Sequence, residues 1–281
     1  MSDQIPQTFT IKKIIQENAA VKTYIFDRSV CGKPGQFVNV WIPRMDEKPM
    51  SIAYDDSKSL SLTICEVGSF SRAIASKKVG DKLGIRGPYG KPFHWQKKQH
   101  LIMVAGGYGA APLFFASKMA IQDGCTIDFI LGARTKNHLL YLKRLGLVKG
   151  LKLHISTDDG SCGHKGYNID ILTKILGETR MKTLQLPGAH FLKKKADWVF
   201  TCGPEMMMKR VSDICFEKNI KAQVSVERYM KCGFGICGQC CVDESGMPVC
   251  IEGPVMDNDT ARMIEEFGKY HRDSEGRKVY F

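Results

Sequence analysis

Five of the eleven cysteines in this chain of 281 residues fall in one stretch, Glu227 to Cys250. Cys232, Cys237 and Cys240 are spaced C-x4-C-x2-C, and Cys250 follows as a further thiol. Thiolates at that spacing are the ligand pattern of a plant-type [2Fe–2S] cluster. Gly233, Gly235 and Gly238 would let the loop close around inorganic sulfide, supplying room, φ freedom and unobstructed N–H donors. A structural zinc site is the competing use of four cysteines, but it usually has two C-x2–4-C knuckles and this stretch has one. A disulfide knot fits less well, because the cysteine count is odd and the chain shows no secretory context. Cys241 is left over in either scheme and reads as a strand residue turned away from the cluster.

Other positions carry weaker signals. Gly106-Gly107-Tyr108-Gly109-Ala110-Ala111-Pro112 follows an apolar strand and opens a helix, where small residues and free N–H groups admit a pyrophosphate. Pro112 stands where the last glycine of G-x-G-x-x-G would be, so an ordinary strand–helix turn explains it equally well. Asp158, in Thr157-Asp158-Asp159-Gly160-Ser161, follows a later strand and is placed to meet ribose hydroxyls, although an Asp-Gly turn is the simpler reading. Cys202-Gly203-Pro204 ends another strand, where cysteine is more often a small buried hydrophobe. Lys48-Pro49-Met50-Ser51 offers a cation before a rigid proline, suited to a phosphate or to water. Gly68 to Ser71, before a short helix, is a second anion cradle. The histidines show no i, i+3 or i, i+4 metal spacing, Met206–Met208 reads as core, and no Ser/His/Asp or paired-carboxylate arrangement is present.

The elements that would position these residues fall into two rhythms. From Phe9 to about Phe93, five short strands alternate with turns, which predicts a small antiparallel β-barrel, interrupted by one helical turn at Ser71–Lys78. From His100, strands alternate with helices: Thr126–Leu131, a helix at about Lys136–Leu145, Leu151–Ser156, a helix at Tyr167–Leu176, Asp197–Cys202, a helix over the Met206 run, and Ala222–Glu227. That predicts a doubly wound α/β sheet. Gly177–Lys195 fits neither rhythm and reads as an insertion loop. The tail is charged, with one helix at Asp259–Phe267.

Size favours two or three small domains. The hydrophobic fraction of 43% and charged fraction of 25% are those of an ordinary globular chain. The net charge of +12 is spread along the chain without interleaved aromatics, which argues against nucleic-acid binding. The first residues lack a basic n-region and an apolar h-region, and no apolar run reaches the ~18 residues of a membrane span. Free thiols in this number point to a reducing cytoplasm.

The motifs, in order, carry a resemblance. K-P-M-S-I, V-G-S-F-S, G-P-Y-G-K-P-F, A-G-G-Y-G-A-A-P-L, T-D-D-G-S-x-G-x-x-G, C-G-P, E-R-Y-M-K-C-G-F-G-I-C-G-Q-C and C-I-E-G-P-V resemble the ferredoxin–NADP reductase superfamily. Within it they are similar to the electron-transfer subunits of class 1B dihydroorotate dehydrogenases in their archaeal form. The resemblance implies three domains: an FAD-binding barrel (1–97), an NAD-binding α/β domain (98–224), and a [2Fe–2S] domain with the tail (225–281). It implies FAD at Lys48, Pro49, Met50 and Ser51, with its pyrophosphate near Gly68 and Ser71. NAD would lie over Gly107, Gly109, Asp158, Cys202, Gly203 and Pro204, and the cluster on Cys232, Cys237, Cys240 and Cys250. Lys48 stands where the family has arginine and cannot donate a bidentate fork, so lower flavin affinity is expected. The implied partner is an FMN-containing dihydroorotate dehydrogenase catalytic subunit, in a heterotetramer of two of each. Electrons would run from that subunit through cluster and FAD to NAD+ in pyrimidine biosynthesis, and no side chain here need act as acid or base. The same body plan is similar to the diaphorase subunits of sulfhydrogenases and anaerobic sulfite reductases, which differ in the partner.

Overall fold

The computed structural model describes residues 4–181 and 196–281. Its first part is a closed antiparallel barrel of six strands: β1 (Gln7–Gln16), β2 (Val21–Phe26), β3 (Phe37–Ile42), β4 (Asp46–Asp55), β5 (Leu60–Cys65) and β6 (Lys82–Tyr89). They close in the order β1-β2-β5-β4-β3-β6. Period-2 residues such as Leu60, Leu62 and Ile64 point inward and are buried with Phe26, Val38, Val40 and Ile85. One barrel strand had no signature in the sequence. The first half of β4 is charged, carries Pro49 and is half-exposed, so it shows no alternation, yet it pairs with β3 from Ile42↔Asp46 to Phe37↔Ser51. The Lys48–Ser51 motif therefore lies on a barrel strand. The short helix α1 (Ser69–Ala75) follows β5.

The second part is a sheet built on β7 (His100–Gly106), β8 (Thr126–Ala133), β9 (Leu151–Thr157), the two-residue β10 (His164–Lys165), β11 (Trp198–Cys202), β12 (Ala222–Ser225) and β13 (Val255–Asp257). The order is β10-β9-β8-β7-β11-β12-β13, parallel except for β13. Residues Leu101 to Gly106 are buried, as their unbroken apolar run requires of a strand covered on both faces. Helices α2 (Ala110–Gln122) and α3 (Leu142–Gly146) pack on one face, and α4 (Asn168–Met181) and α5 (Glu205–Glu217) on the other. Asp128 ties three strands together, accepting His100 Nε2 at 2.8 Å from β7 and His154 Nε2 at 2.6 Å from β9. That use of the histidines is structural, as their spacing suggested.

Several helices depart from expectation; α1 itself runs Ser69–Ala75 where Ser71–Lys78 was expected. Instead of one helix over Lys136–Leu145 there is a 3-10 turn at Lys136–His138, and α3 starts only after Tyr141, whose φ is +61°. Leu139, Leu140 and Tyr141 are buried in between. The Tyr141 hydroxyl reaches Thr23 and Thr63 of the barrel and its ring meets Phe114 of α2, so packing between barrel and sheet breaks the helix. Helix α4 continues past Leu176 to Met181, so the start of the stretch read as an insertion loop is helical; 182–195 lie outside the described residues. Beyond the cysteines come α6 (Val249–Glu252), α7 (Asn258–Arg262), shorter than the expected Asp259–Phe267, and a hairpin of β14 (Tyr270–Arg272) and β15 (Lys278–Tyr280) where only a charged tail was legible. Among the described residues no helix is long and apolar enough to cross a membrane.

Candidate functional site

The first strand of the sheet, β7, lies in its middle. The chain leaves it for β8 and β9 on one side and returns to β11 on the other, so the carboxyl ends of β7 and β11 form the switch point where such sheets bind ligands. The two loops there touch backbone to backbone. A Cβ on Gly109 would sit 2.2 Å from the Cys202 carbonyl oxygen, and one on Gly203, whose φ is +147°, would meet the Gly106 carbonyl oxygen at 2.7 Å. Only glycine fits at either point. Above them a cleft of about 1160 Å³, its open mouth included, runs between barrel and sheet.

Of the residues singled out from the sequence, Pro49, Met50 and Ser51 of β4 line this cleft from the barrel side, and Gly109, Cys202 and Gly203 from the sheet side. Gly107 is at φ +53° in the 3-10 turn that joins β7 to α2, and Pro204 caps α5. Asp158 is exposed at the end of β9, its carboxylate without a partner among the described residues. Its neighbour Asp159 is committed to a turn, accepting Ser161 N at 2.9 Å and Ser161 Oγ at 2.6 Å. Ser71 is buried, and its hydroxyl caps α1 by accepting the N–H groups of Val67 and Gly68 at 2.9 Å each. Lys48 is not on the cleft wall. Its ammonium pairs with Asp46 at 2.9 Å, donates to the Tyr229 hydroxyl at 3.1 Å and lies 5.0 Å from the centre of that ring.

The cleft also holds side chains to which the motifs assign no chemistry. Glu227 lines it and is exposed to solvent; desolvation by the surrounding walls holds its carboxyl above the usual carboxylate range, and the charge of Glu205 adds to this. Glu227 in turn is the main reason the half-exposed Tyr108 hydroxyl is pushed up to about 12, burial and the thiols Cys202 and Cys65 contributing less. Burial pushes the Cys202 thiol up to about 12, keeping it neutral at ordinary pH. Tyr108 was visible as the one large residue inside a glycine turn. Cys65 had no signal beyond ending a strand.

From the cleft wall the chain runs directly into the cysteine loop: Ser225 to Arg228 and Met230 line the cleft, and Cys232 follows. Gly233, Gly235 and Gly238 all adopt positive φ (+84°, +79° and +70°), the conformations a tight loop demands of glycine. The four thiols stand as two neighbouring pairs, Cys232 with Cys237 and Cys240 with Cys250; among the described residues no three metal-ligating side chains surround a common point. The loop nevertheless presents donors to sulfur. Gly235 N lies 3.2 Å from Cys250 Sγ, and Cys250 N lies 3.3 Å from Cys240 Sγ. Burial opposes ionisation of Cys232, but the backbone N–H groups of Cys237, Phe234 and Ile236 and the Cys237 thiol outweigh it and bring the thiol down to about 6. Glycine-shaped backbone, N–H···S bonds and a stabilised thiolate are what an iron–sulfur cluster asks of its loop. Cys241, bridged to Pro248, is pushed the other way by burial and by the charges of Cys240, Cys237 and Cys232.

Two family models match the chain. Residues 227–261 match the iron-sulfur cluster binding domain of dihydroorotate dehydrogenase B, and residues 103–213 the oxidoreductase NAD-binding domain. Among solved structures, one from a study of flavin-based electron bifurcation in the NADH-dependent reduced ferredoxin-NADP oxidoreductase superposes with a TM-score of 0.74 at 26% identity, covering 89% of this chain and 88% of that one. Barrel, switch-point cleft and cysteine loop together define a flavin- and NAD-linked iron–sulfur oxidoreductase of the ferredoxin reductase type. Probable electron transfer subunits of dihydroorotate dehydrogenase B (NAD(+)) from Methanocaldococcus jannaschii and Methanothermobacter thermautotrophicus are 45% and 41% identical, over 98% and 99% of this chain and 99% and 98% of theirs. This chain belongs to that family of electron-transfer subunits.

Proposed function

We propose that this chain serves an NAD-linked dihydroorotate dehydrogenase, taking electrons from a separate FMN-containing catalytic subunit and passing them to NAD+ in pyrimidine biosynthesis. When bound, a [2Fe–2S] cluster supplies one-electron transfer, and FAD converts single electrons to the hydride that nicotinamide accepts. The observation that carries the reading is the continuity of the segment Ser225–Cys232, which is cleft wall at one end and cysteine loop at the other. No acid or base is needed from the chain, and its work is to hold, orient and exclude water.

In this reading Cys232, Cys237, Cys240 and Cys250 hold the cluster and Cys241 stays a free thiol. Pro49, Met50 and Ser51 line the flavin side of the cleft, with Lys48 beside them and the α1 start at Gly68 and Ser71 facing the pyrophosphate. Gly107, Gly109, Cys202, Gly203 and Pro204 form the nicotinamide side, and Asp158 reaches the ribose. The three parts divide near residues 97 and 224, although β13 returns to pair with β12 after the cysteines. A cytoplasmic heterotetramer with two of each subunit completes the proposal. The test is purification of the native complex from anaerobic extract. An FMN-containing partner and NADH formed from dihydroorotate are expected; a hydrogenase or sulfite reductase partner without orotate formation would refute the assignment.

A further inference from the structure

The cysteine loop is anchored to the barrel by a buried cation. Arg86 of β6 is 7% exposed, and its five N–H donors all find acceptors. Nε and Nη2 grip the Glu47 carboxylate of β4 at 2.6 and 2.5 Å; Nη1 donates to the Tyr89 hydroxyl at 3.1 Å and to the Cys232 carbonyl; Nη2 also reaches the Lys231 carbonyl at 3.3 Å. The guanidinium carbon lies 5.4 Å from the centre of the Phe234 ring and 5.5 Å from that of Tyr89. Asn39, paired with Arg86 across the β3–β6 ladder and fully buried, donates to the same two carbonyls, at 2.6 Å to Lys231 and 3.4 Å to Cys232. Gly233 presses against Tyr89 so closely that a Cβ would come within 2.7 Å of the ring. The barrel thus meets the loop at Cys232, with a desolvated positive charge at the joint.

A bare clamp could be built from neutral donors such as Asn39, and a guanidinium adds a field. Each electron accepted by a thiolate-held cluster adds one negative charge beside it. In a weakly screened site a neighbouring cation favours the reduced state and an anion opposes it. Resting on the reading that Cys232 is a cluster ligand, we infer that Arg86 positions the loop through the Cys232 carbonyl and raises the cluster's reduction potential, while Glu47 holds that increase in check. The pair lies in the flavin barrel and not in the cysteine segment, so the part that carries the flavin also sets how readily the cluster is reduced.

The experiment is an anaerobic redox titration of the full chain, loaded with iron and FAD and followed by the electron paramagnetic resonance of the reduced cluster. Wild type would be compared with Arg86→Gln, Arg86→Lys and Glu47→Gln. The expected result is a lower potential in Arg86→Gln, a potential close to wild type in Arg86→Lys, and a higher potential in Glu47→Gln. A role as clamp alone would move Arg86→Gln and Glu47→Gln in the same direction or move neither, and either result overturns the inference. If Arg86→Gln fails to hold a cluster, Glu47→Gln decides: an upward shift supports the inference, and no shift or a downward one overturns it. A wild-type chain that binds no iron would overturn the ligand reading and this inference with it, whereas unmoved potentials in iron-loaded variants overturn this inference alone.

Discussion

Five thiols share one loop, and their surroundings distinguish them. Cys232 is stabilised as thiolate by N–H donors, and Cys240 and Cys250 accept backbone N–H groups; burial first, and then its neighbours' charge, pushes Cys241 up, while burial and Cys240 push Cys250 up to about 12. Cys241→Ser should leave the visible absorbance of the cluster intact, and Cys237→Ser should bleach it; loss of the cluster in Cys241→Ser would mean that the ligand register is off by one. Glu227 gives a second residue-scale prediction. A carboxyl whose folded pKa is raised keeps its proton where the unfolded chain has lost it, so stability falls as pH climbs through the window above the ordinary carboxylate range. Glu227→Gln removes that loss. Thermal melts should show the variant gaining on wild type from acidic to neutral pH, and a constant gap would refute the shift. The cysteines were legible because cluster ligation leaves a local spacing. The cation at Cys232 was not, because Arg86 lies 146 residues away and no short pattern encodes such a contact.

At the scale of elements, two contacts carry the site. The β7 and β11 loops can meet only because Gly109 and Gly203 lack side chains. Gly109→Ala, whose φ of −60° any residue adopts, should still cost about 1–3 kcal/mol by overpacking and weaken NADH binding, as read by denaturant unfolding and a binding titration. The second contact is buried charge. Arg228, next to the cleft, holds Glu205 of α5 at 2.7 Å and Glu266 at 3.5 Å, with all three side chains at most 5% exposed. Arg228→Met would strand two carboxylates and should cost about 3–5 kcal/mol in urea unfolding. Element rhythm was legible wherever periodicity was clean, in the barrel strands and the parallel sheet. It failed at β4, where charge and proline mask a paired strand, and at Lys136–Leu145, where contact with the barrel overrides helical propensity.

At the scale of the whole molecule, barrel and sheet form one body. Phe115 of α2 is buried in the barrel core, Tyr141 bonds barrel threonines, and Gln223 of β12 exchanges hydrogen bonds of 3.0 and 2.7 Å with the His94 backbone. Those contacts suit a chain that must keep a cleft and a cysteine loop at a fixed separation. The order of the motifs foretold these parts, but how the loop docks on the barrel is a tertiary fact with no local signature. Whether this chain is the conduit to NAD+ is measured most directly by anaerobic NADH formation from dihydroorotate by the catalytic subunit with and without it. NADH should appear only when this chain is present, and should vanish with a Cys237→Ser chain that still binds FAD. NAD+ reduction by the catalytic subunit alone, or undiminished turnover with the Cys237→Ser chain, would contradict it.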